Sequence, residues 1–84
     1  MASFVLSAHA KFVLAERGIL AAWIEQVMSS PEKIEPDRYD SALTHAMSAI
    51  PQFGGRTLRV IYNDNVTPRR IVTAYFDRAQ RKKS

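Results

Sequence analysis

Two stretches near the C-terminus decide the fold: residues 57–63 read TLRVIYN and residues 70–77 read RIVTAYFD. Both alternate with a period of two, which is typical of β-strands with one face buried. The six residues between them, 64–69, include Asn65 and Pro68, so the strands are expected to form a hairpin with a loop longer than a tight turn. Alternation assigns five side chains to the core face: Leu58, Val60, Val72, Ala74 and Phe76.

The same alternation predicts a polar group on the opposite face of the hairpin. Its members are Arg59, Thr73, Tyr75 and Asp77. Guanidinium groups bind phosphates with two donors and aromatic rings stack bases, so this face is a candidate nucleic-acid site. The alternative is a solvated face on which Arg59 and Asp77 form a cross-strand ion pair.

Upstream of the hairpin, the hydrophobic pattern is helical. Ser7 offers an N-cap, residues 8–17 are predicted to form the first helix, and Gly18 is expected to end it. A broad apolar stripe with helical period follows over residues 19–28 and predicts a second helix. Trp23 lies in the middle of this stripe and is therefore expected in the core.

The remaining segments are less decisive. Residues 4–6 could form an edge strand, and residues 31–41, with two prolines and many charges, are predicted as a loop that could contain a short extended piece. Residues 42–50 fit a helix and a strand equally. The order strand, helix, helix, loop and β-meander predicts an α+β fold with two N-terminal helices on a sheet. We expect one domain, residues 1–78, followed by a basic tail, residues 79–84.

Composition excludes several classes of function. The 84 residues contain no cysteine, which excludes a disulfide framework, cysteine-ligated zinc and a thiol nucleophile. No apolar run approaches the ~20 residues of a membrane span, so we expect a soluble cytoplasmic protein with no membrane partner. The two histidines are far apart and Gly54-Gly55 is only a turn signal. We therefore expect no metal and no small-molecule cofactor.

Charge is concentrated at the C-terminus. Residues 54–84 hold eight basic and two acidic residues, a net charge of +6, whereas residues 1–53 hold four basic and six acidic residues, a net charge of −2. Such asymmetry attracts a polyanion or an acidic protein. Arg56 and Arg70 have the parity of the core face and are expected to project from strand ends. Arg78, Arg81 and the two lysines after them either bind phosphate or form a solvated end.

The histidines have different expected roles. His9 lies near the start of the first helix, where free backbone N–H groups favour a neutral imidazole that could act as general base or acid. Its alternative is a capping or packing role. His45 has no arginine or carboxylate at an interpretable spacing, and packing is its expected role.

Several motifs point together to a known family. They are Ser7-x-His9-Ala10, Glu16-Arg17-Gly18-Ile19, Trp23-Ile24-Glu25-x-Val27 and Pro31-Glu32, with residues 55–63 and 70–78 as a C-terminal hairpin. In this order and spacing they resemble a small bacterial family of domains of unknown function that is related to the RelE/ParE and BrnT toxins. The resemblance covers nearly the whole chain.

The resemblance implies a RelE-like fold, in which two helices pack on a curved antiparallel sheet. It also implies the toxin of a type II toxin–antitoxin system, with a protein antitoxin as partner. The RelE branch implies mRNA cleavage on the ribosome, and the ParE branch implies gyrase inhibition. A non-enzymatic module of the same fold that binds nucleic acid or protein is a further alternative.

For RNA cleavage, the resemblance also implies residue roles. The RNA 2′-hydroxyl attacks the adjacent phosphate, so a base, an acid and cations are required. The matching catalytic positions are His9, Arg59 and Tyr75. Of the positions expected to bind RNA phosphate, the resemblance implies Arg56 and Arg78, and the basic hairpin and tail add Arg70, Thr73 and Arg81.

Overall fold

The structure, a computed structural model, describes residues 4–78, which form a five-stranded sheet with two helices on one face. The predicted α+β class is confirmed. In chain order the elements are β1 Phe4–Leu6, α1 Ala8–Arg17, α2 Ala21–Ser29, β2 Lys33–Pro36, β3 Leu43–Ile50, β4 Arg56–Asn63 and β5 Arg69–Phe76. A short 3-10 turn, Pro51–Phe53, joins β3 to β4.

Both predicted ends of the first helix are confirmed. The Ser7 hydroxyl accepts a hydrogen bond from the backbone N–H of Ala10 at 3.0 Å. Gly18 adopts the left-handed conformation, with φ of 65°, and its N–H bonds back to the last turn. A residue with a Cβ is strained in this conformation, which explains why glycine ends the helix there. The second helix begins at Ala21, two residues after its apolar stripe begins.

The sheet is mixed, so the expected antiparallel sheet is wrong at one edge. The strand order is β1-β5-β4-β3-β2, and β2 to β5 are joined by antiparallel pairs, whereas β1 runs parallel to β5. Parallel neighbours need a long connection, and here both helices and three strands separate β1 from β5. Within the ambiguous residues 42–50, Leu43–Ile50 form the interior strand β3, and β2 lies inside the predicted loop.

A register shift in the hairpin corrects the predicted core. Ile61 pairs with Thr73, but Tyr62 pairs with Ile71, so Val72 lies between the two pairs as a β-bulge. Ile71 is therefore fully buried, and Val72, which was assigned to the core face, is only half-buried. By alternation from Ile71, the bulge also removes Arg70 from the core face.

The core lies between the helices and one face of the sheet. It includes Trp23, as expected, and the fully buried Leu58, Val60 and Ala74 of the hairpin. Phe76 is half-buried and packs against this cluster. Because the helices cover this face, the opposite face carries the polar side chains of the sheet.

Candidate functional site

Arg59 is the centre of a charged cluster on the sheet face opposite the helices. Its side chain is 10% exposed. Its Nε and Nη2 donate to Asp77 Oδ2 at 2.7 and 2.6 Å, and Nη1 donates to Glu35 Oε1 at 3.3 Å. The ion pair between Arg59 and Asp77 that the sequence suggested is present, but its side chains are 10% and 13% exposed and so are not solvated.

His45 extends this cluster across the sheet. Its Nδ1 lies 2.7 Å from Arg59 Nη1, and its Nε2 lies 2.7 Å from Asp37 Oδ1. A guanidinium can only donate, so Nδ1 must accept, and the ring is neutral with its proton on Nε2, which donates to Asp37. Sequence reasoning missed this role because β3 was not assigned, and only the pairing of β2, β3 and β4 brings the partners of His45 together.

The carboxylates of the cluster are stabilised in their charged form. The hydrogen bond from Arg59, aided by Lys33, lowers the pKa of Glu35. Hydrogen bonds from His45 and from the backbone N–H groups of Tyr39 and Asp40 lower the pKa of Asp37. Both carboxylates are therefore charged near neutral pH.

Arg59 itself stays charged. Burial disfavours its charged form, but hydrogen bonds to Asp77 and Glu35 outweigh burial and raise its pKa. The cluster then contains one guanidinium against the carboxylates of Glu35, Asp37 and Asp77. The net charge of the cluster is therefore negative, which does not favour phosphate binding at Arg59 itself.

A separate cleft lies where β4 begins and β5 ends. Its volume is about 280 Å³, and it is lined by Arg56, Thr57, Phe76, Asp77 and Arg78. Arg56 and Arg78 are exposed, and the Arg56 guanidinium lies 4.9 Å from the centre of the Phe53 ring. We call this site the Arg56–Arg78 cleft. It adjoins the charged cluster through Asp77.

An aromatic group supports the cleft. The Phe53 and Phe76 ring centres lie 4.8 Å apart, and that of Trp23 lies 5.3 Å from Phe53 and 6.0 Å from Phe76. Trp23 is anchored in the core, so these contacts fix the wall of the cleft to the second helix. Arg56, stacked on Phe53, is held at the edge of this group by a cation–π contact.

The structure brings only some of the proposed site residues together. Tyr75 is the register partner of Arg59, and Thr73 is that of Ile61. His9 is exposed on α1, which packs on the other face of the sheet, so it does not join Arg59.

Two of the proposed phosphate-binding residues that the structure describes, Arg70 and Thr73, do not line the cleft. Arg70 lies at the opposite end of β5, beside Val5 of β1. Arg81 lies outside the described residues.

Residues 4–78 contain neither a metal-binding group of side chains nor a helix that could span a membrane. No group of three or more histidine, aspartate or glutamate residues has the geometry to hold a metal ion in this part of the chain. None of its helices combines the length and the apolar character needed to cross a membrane.

Comparison with known families identifies the chain. The model of a domain of unknown function, DUF4258, matches residues 6–76. The chain belongs to this family. The DUF4258 match runs from the end of β1 to the end of β5 and so includes the charged cluster except Asp77. No curated protein and no solved structure matches the chain significantly.

Proposed function

We propose that this DUF4258 chain has a RelE-like fold and is the toxin of a type II toxin–antitoxin pair, acting in the cytoplasm by binding mRNA. The Arg56–Arg78 cleft is the observation that carries the proposal. Two exposed guanidinium groups flank a space of about 280 Å³. Guanidinium groups pair with phosphate through two donors and keep their charge at any physiological pH.

The charges that line the cleft favour an anion. Asp77 is the acidic residue among those that line it, but Arg59 holds its carboxylate with contacts of 2.6 and 2.7 Å. This pairing offsets the negative charge, and Arg56 and Arg78 leave an excess of positive charge. An acidic antitoxin covering the same surface would block RNA binding.

RNA binding without cleavage is the activity that these groups support best. Cleavage needs an acid and a base within reach of the scissile phosphate. His9 lies on the other side of the sheet, and the Arg59 guanidinium is occupied by two carboxylates. A bound protein would instead stop translation by occupying the mRNA.

The test is expression in a translating extract, with protein synthesis and mRNA 5′ ends measured together. The wild type should inhibit synthesis and leave the mRNA intact. The Arg56→Gln/Arg78→Gln double variant should inhibit at least about tenfold less, because each charged contact to phosphate contributes roughly 1.5–3 kcal/mol. The control, Lys11→Gln/Arg38→Gln, removes two exposed charges that do not line the cleft and should match the wild type.

Other results would replace the proposal. New mRNA 5′ ends that depend on the protein would show cleavage. Unchanged synthesis, with DNA damage in cells that express the protein, would indicate gyrase inhibition. Equal inhibition by the wild type and the Arg56→Gln/Arg78→Gln variant would exclude the cleft as the site.

A further inference from the structure

The charged cluster reaches the cleft through Asp77. Asp77 lines the cleft and receives both short contacts from Arg59. Arg59 in turn contacts His45, so three neighbouring strands contribute to one chain of contacts: His45 on β3, Arg59 on β4 and Asp77 directly after β5. A change at His45 can therefore be transmitted to the cleft through a single side chain.

The contact between His45 and Arg59 depends on the protonation of the imidazole. Nδ1 of His45 accepts from Arg59 at 2.7 Å, so it must be free of a proton. A protonated ring carries N–H groups on both nitrogens and has no acceptor left. The same 2.7 Å contact would then oppose two donors and two positive charges, and Arg59 would have to move away from β3.

We propose that protonation of His45 raises the affinity of the Arg56–Arg78 cleft for RNA, a regulation that rests on the proposed function. Arg59 has His45 on one side and Asp77 on the other, so repulsion from a charged His45 directs the guanidinium toward Asp77 and the cleft. Protonation also adds one positive charge to an acidic cluster. Both effects favour a bound anion, and RNA binding tightens as pH falls.

The groups that surround His45 support this direction. Glu35 of β2 is its register partner, and Lys33 of the same strand forms an ion pair with Glu35 at 3.6 Å. Asp37 accepts from its Nε2, and β4 contributes Arg59. On the far side of Arg59, β5 contributes Tyr75, which is the register partner of Arg59. Asp77, directly after β5, forms the ion pair with Arg59.

Within this group, His45 carries the imidazole, the side-chain type whose charge changes in mild acid. Glu35 and Asp37 have lowered pKa values and stay charged where an imidazole takes up its proton, between about pH 5 and 8. These two carboxylates therefore keep the same charge throughout this pH range. The other imidazole of the chain, His9, is exposed on α1 behind the sheet and provides a matched control.

The experiment measures the affinity of a fluorescein-labelled single-stranded RNA by anisotropy from about pH 5 to 8 at constant ionic strength. Wild type and His9→Gln should bind at least about threefold more tightly at the acid end, because one charge is added close to the cleft. His45→Gln should lose most of this gain, since its amide oxygen can still accept from Arg59 but cannot be protonated. Thermal melting by circular dichroism establishes that each variant is folded, and His45→Asn replaces His45→Gln if the latter has melted.

The outcomes separate this proposal from the proposed function. The same pH profile in wild type and His45→Gln would overturn the regulation alone. Absence of RNA binding by the wild type at every pH would overturn the proposed function and the regulation together. Independently of RNA, ¹⁵N NMR of the His45 imidazole should show the Nε2–H form at neutral pH. An Nδ1–H form would mean that Nδ1 does not accept from Arg59, and it would overturn the proposed regulation through Arg59.

Discussion

Replacing Arg59 with methionine should destabilise the fold strongly. Methionine keeps much of the apolar stem and removes the guanidinium from Asp77, whose side chain is only 13% exposed. Removing one partner of a fully buried ion pair costs about 3–5 kcal/mol, so we expect about 2–4 kcal/mol for this slightly exposed pair. A domain of this length is stable by roughly 4–13 kcal/mol, so the loss is a large fraction of the total.

The exposed ion pair of the same hairpin provides the control. Arg69 Nε lies 3.0 Å from Asp64 Oδ1, but these side chains are 46% and 52% exposed. Arg69→Met removes the same chemistry from a solvated pair and should cost less than about 1 kcal/mol.

Urea unfolding, followed by circular dichroism, measures the free energy of unfolding of both variants and of the wild type. A thermal scan of the same proteins measures their melting temperatures. The melting temperature of Arg59→Met should fall by roughly 8–32 °C, because 1 kcal/mol corresponds to about 4–8 °C in a domain of this size. In the Arg59→Met/Asp77→Asn double variant, the cost should be less than the sum of the two single costs, since the negative charge that Arg59 neutralised is removed together with Arg59. Equal destabilisation by Arg59→Met and Arg69→Met would refute the reasoning.

Three further predictions concern the fold. In urea unfolding, Ile71→Ala should lower the free energy of unfolding by about 2–4 kcal/mol and Val72→Ala by less than about 1 kcal/mol. The reason is that the bulge buries Ile71 and leaves Val72 only half-buried. Equal losses for the two variants would contradict the bulge. Gly18→Ala should lower the free energy of unfolding by about 1 kcal/mol in the same assay, because alanine is strained at a φ of 65°. A Cβ at this position meets no atom within 4 Å, so a steric clash does not add to this loss. Glu35 and Asp37 have lower pKa values in the folded protein than in the unfolded chain, where they lie near 4. The two charged carboxylates therefore stabilise the fold above about pH 4, and this contribution is lost as the pH falls through their folded-state pKa values. The melting temperature should therefore fall in acid, and less steeply in Asp37→Asn.

The parts of the fold that depend on local patterns could be predicted from sequence. Ser7 and Gly18 mark the ends of the first helix because capping is decided within one helical turn. The hairpin followed from alternation over eight residues. The bulge at Val72 could not be predicted, because Ile71 and Val72 are both apolar and either could fill the core.

The site depends on pairings that are distant in sequence. His45 contacts Arg59, 14 residues away, only because β3 and β4 lie side by side. The pattern of residues 42–50 fits a helix and a strand equally. The side chains that contact His45 could therefore not be predicted from the local sequence. Parity did predict that Arg59 and Tyr75 share a face, but the carboxylate from β2 that helps bury Arg59 could not be inferred.

The salt dependence of RNA binding tests the cleft itself. The affinity of single-stranded RNA should fall with salt in the wild type, and the slope of log affinity against log salt should be reduced by about 1.4 in Arg56→Gln/Arg78→Gln, at roughly 0.7 per phosphate contact. Lys11→Gln/Arg38→Gln should keep the wild-type slope. The same slope and affinity in the Arg56→Gln/Arg78→Gln variant and the wild type would contradict RNA binding in the Arg56–Arg78 cleft.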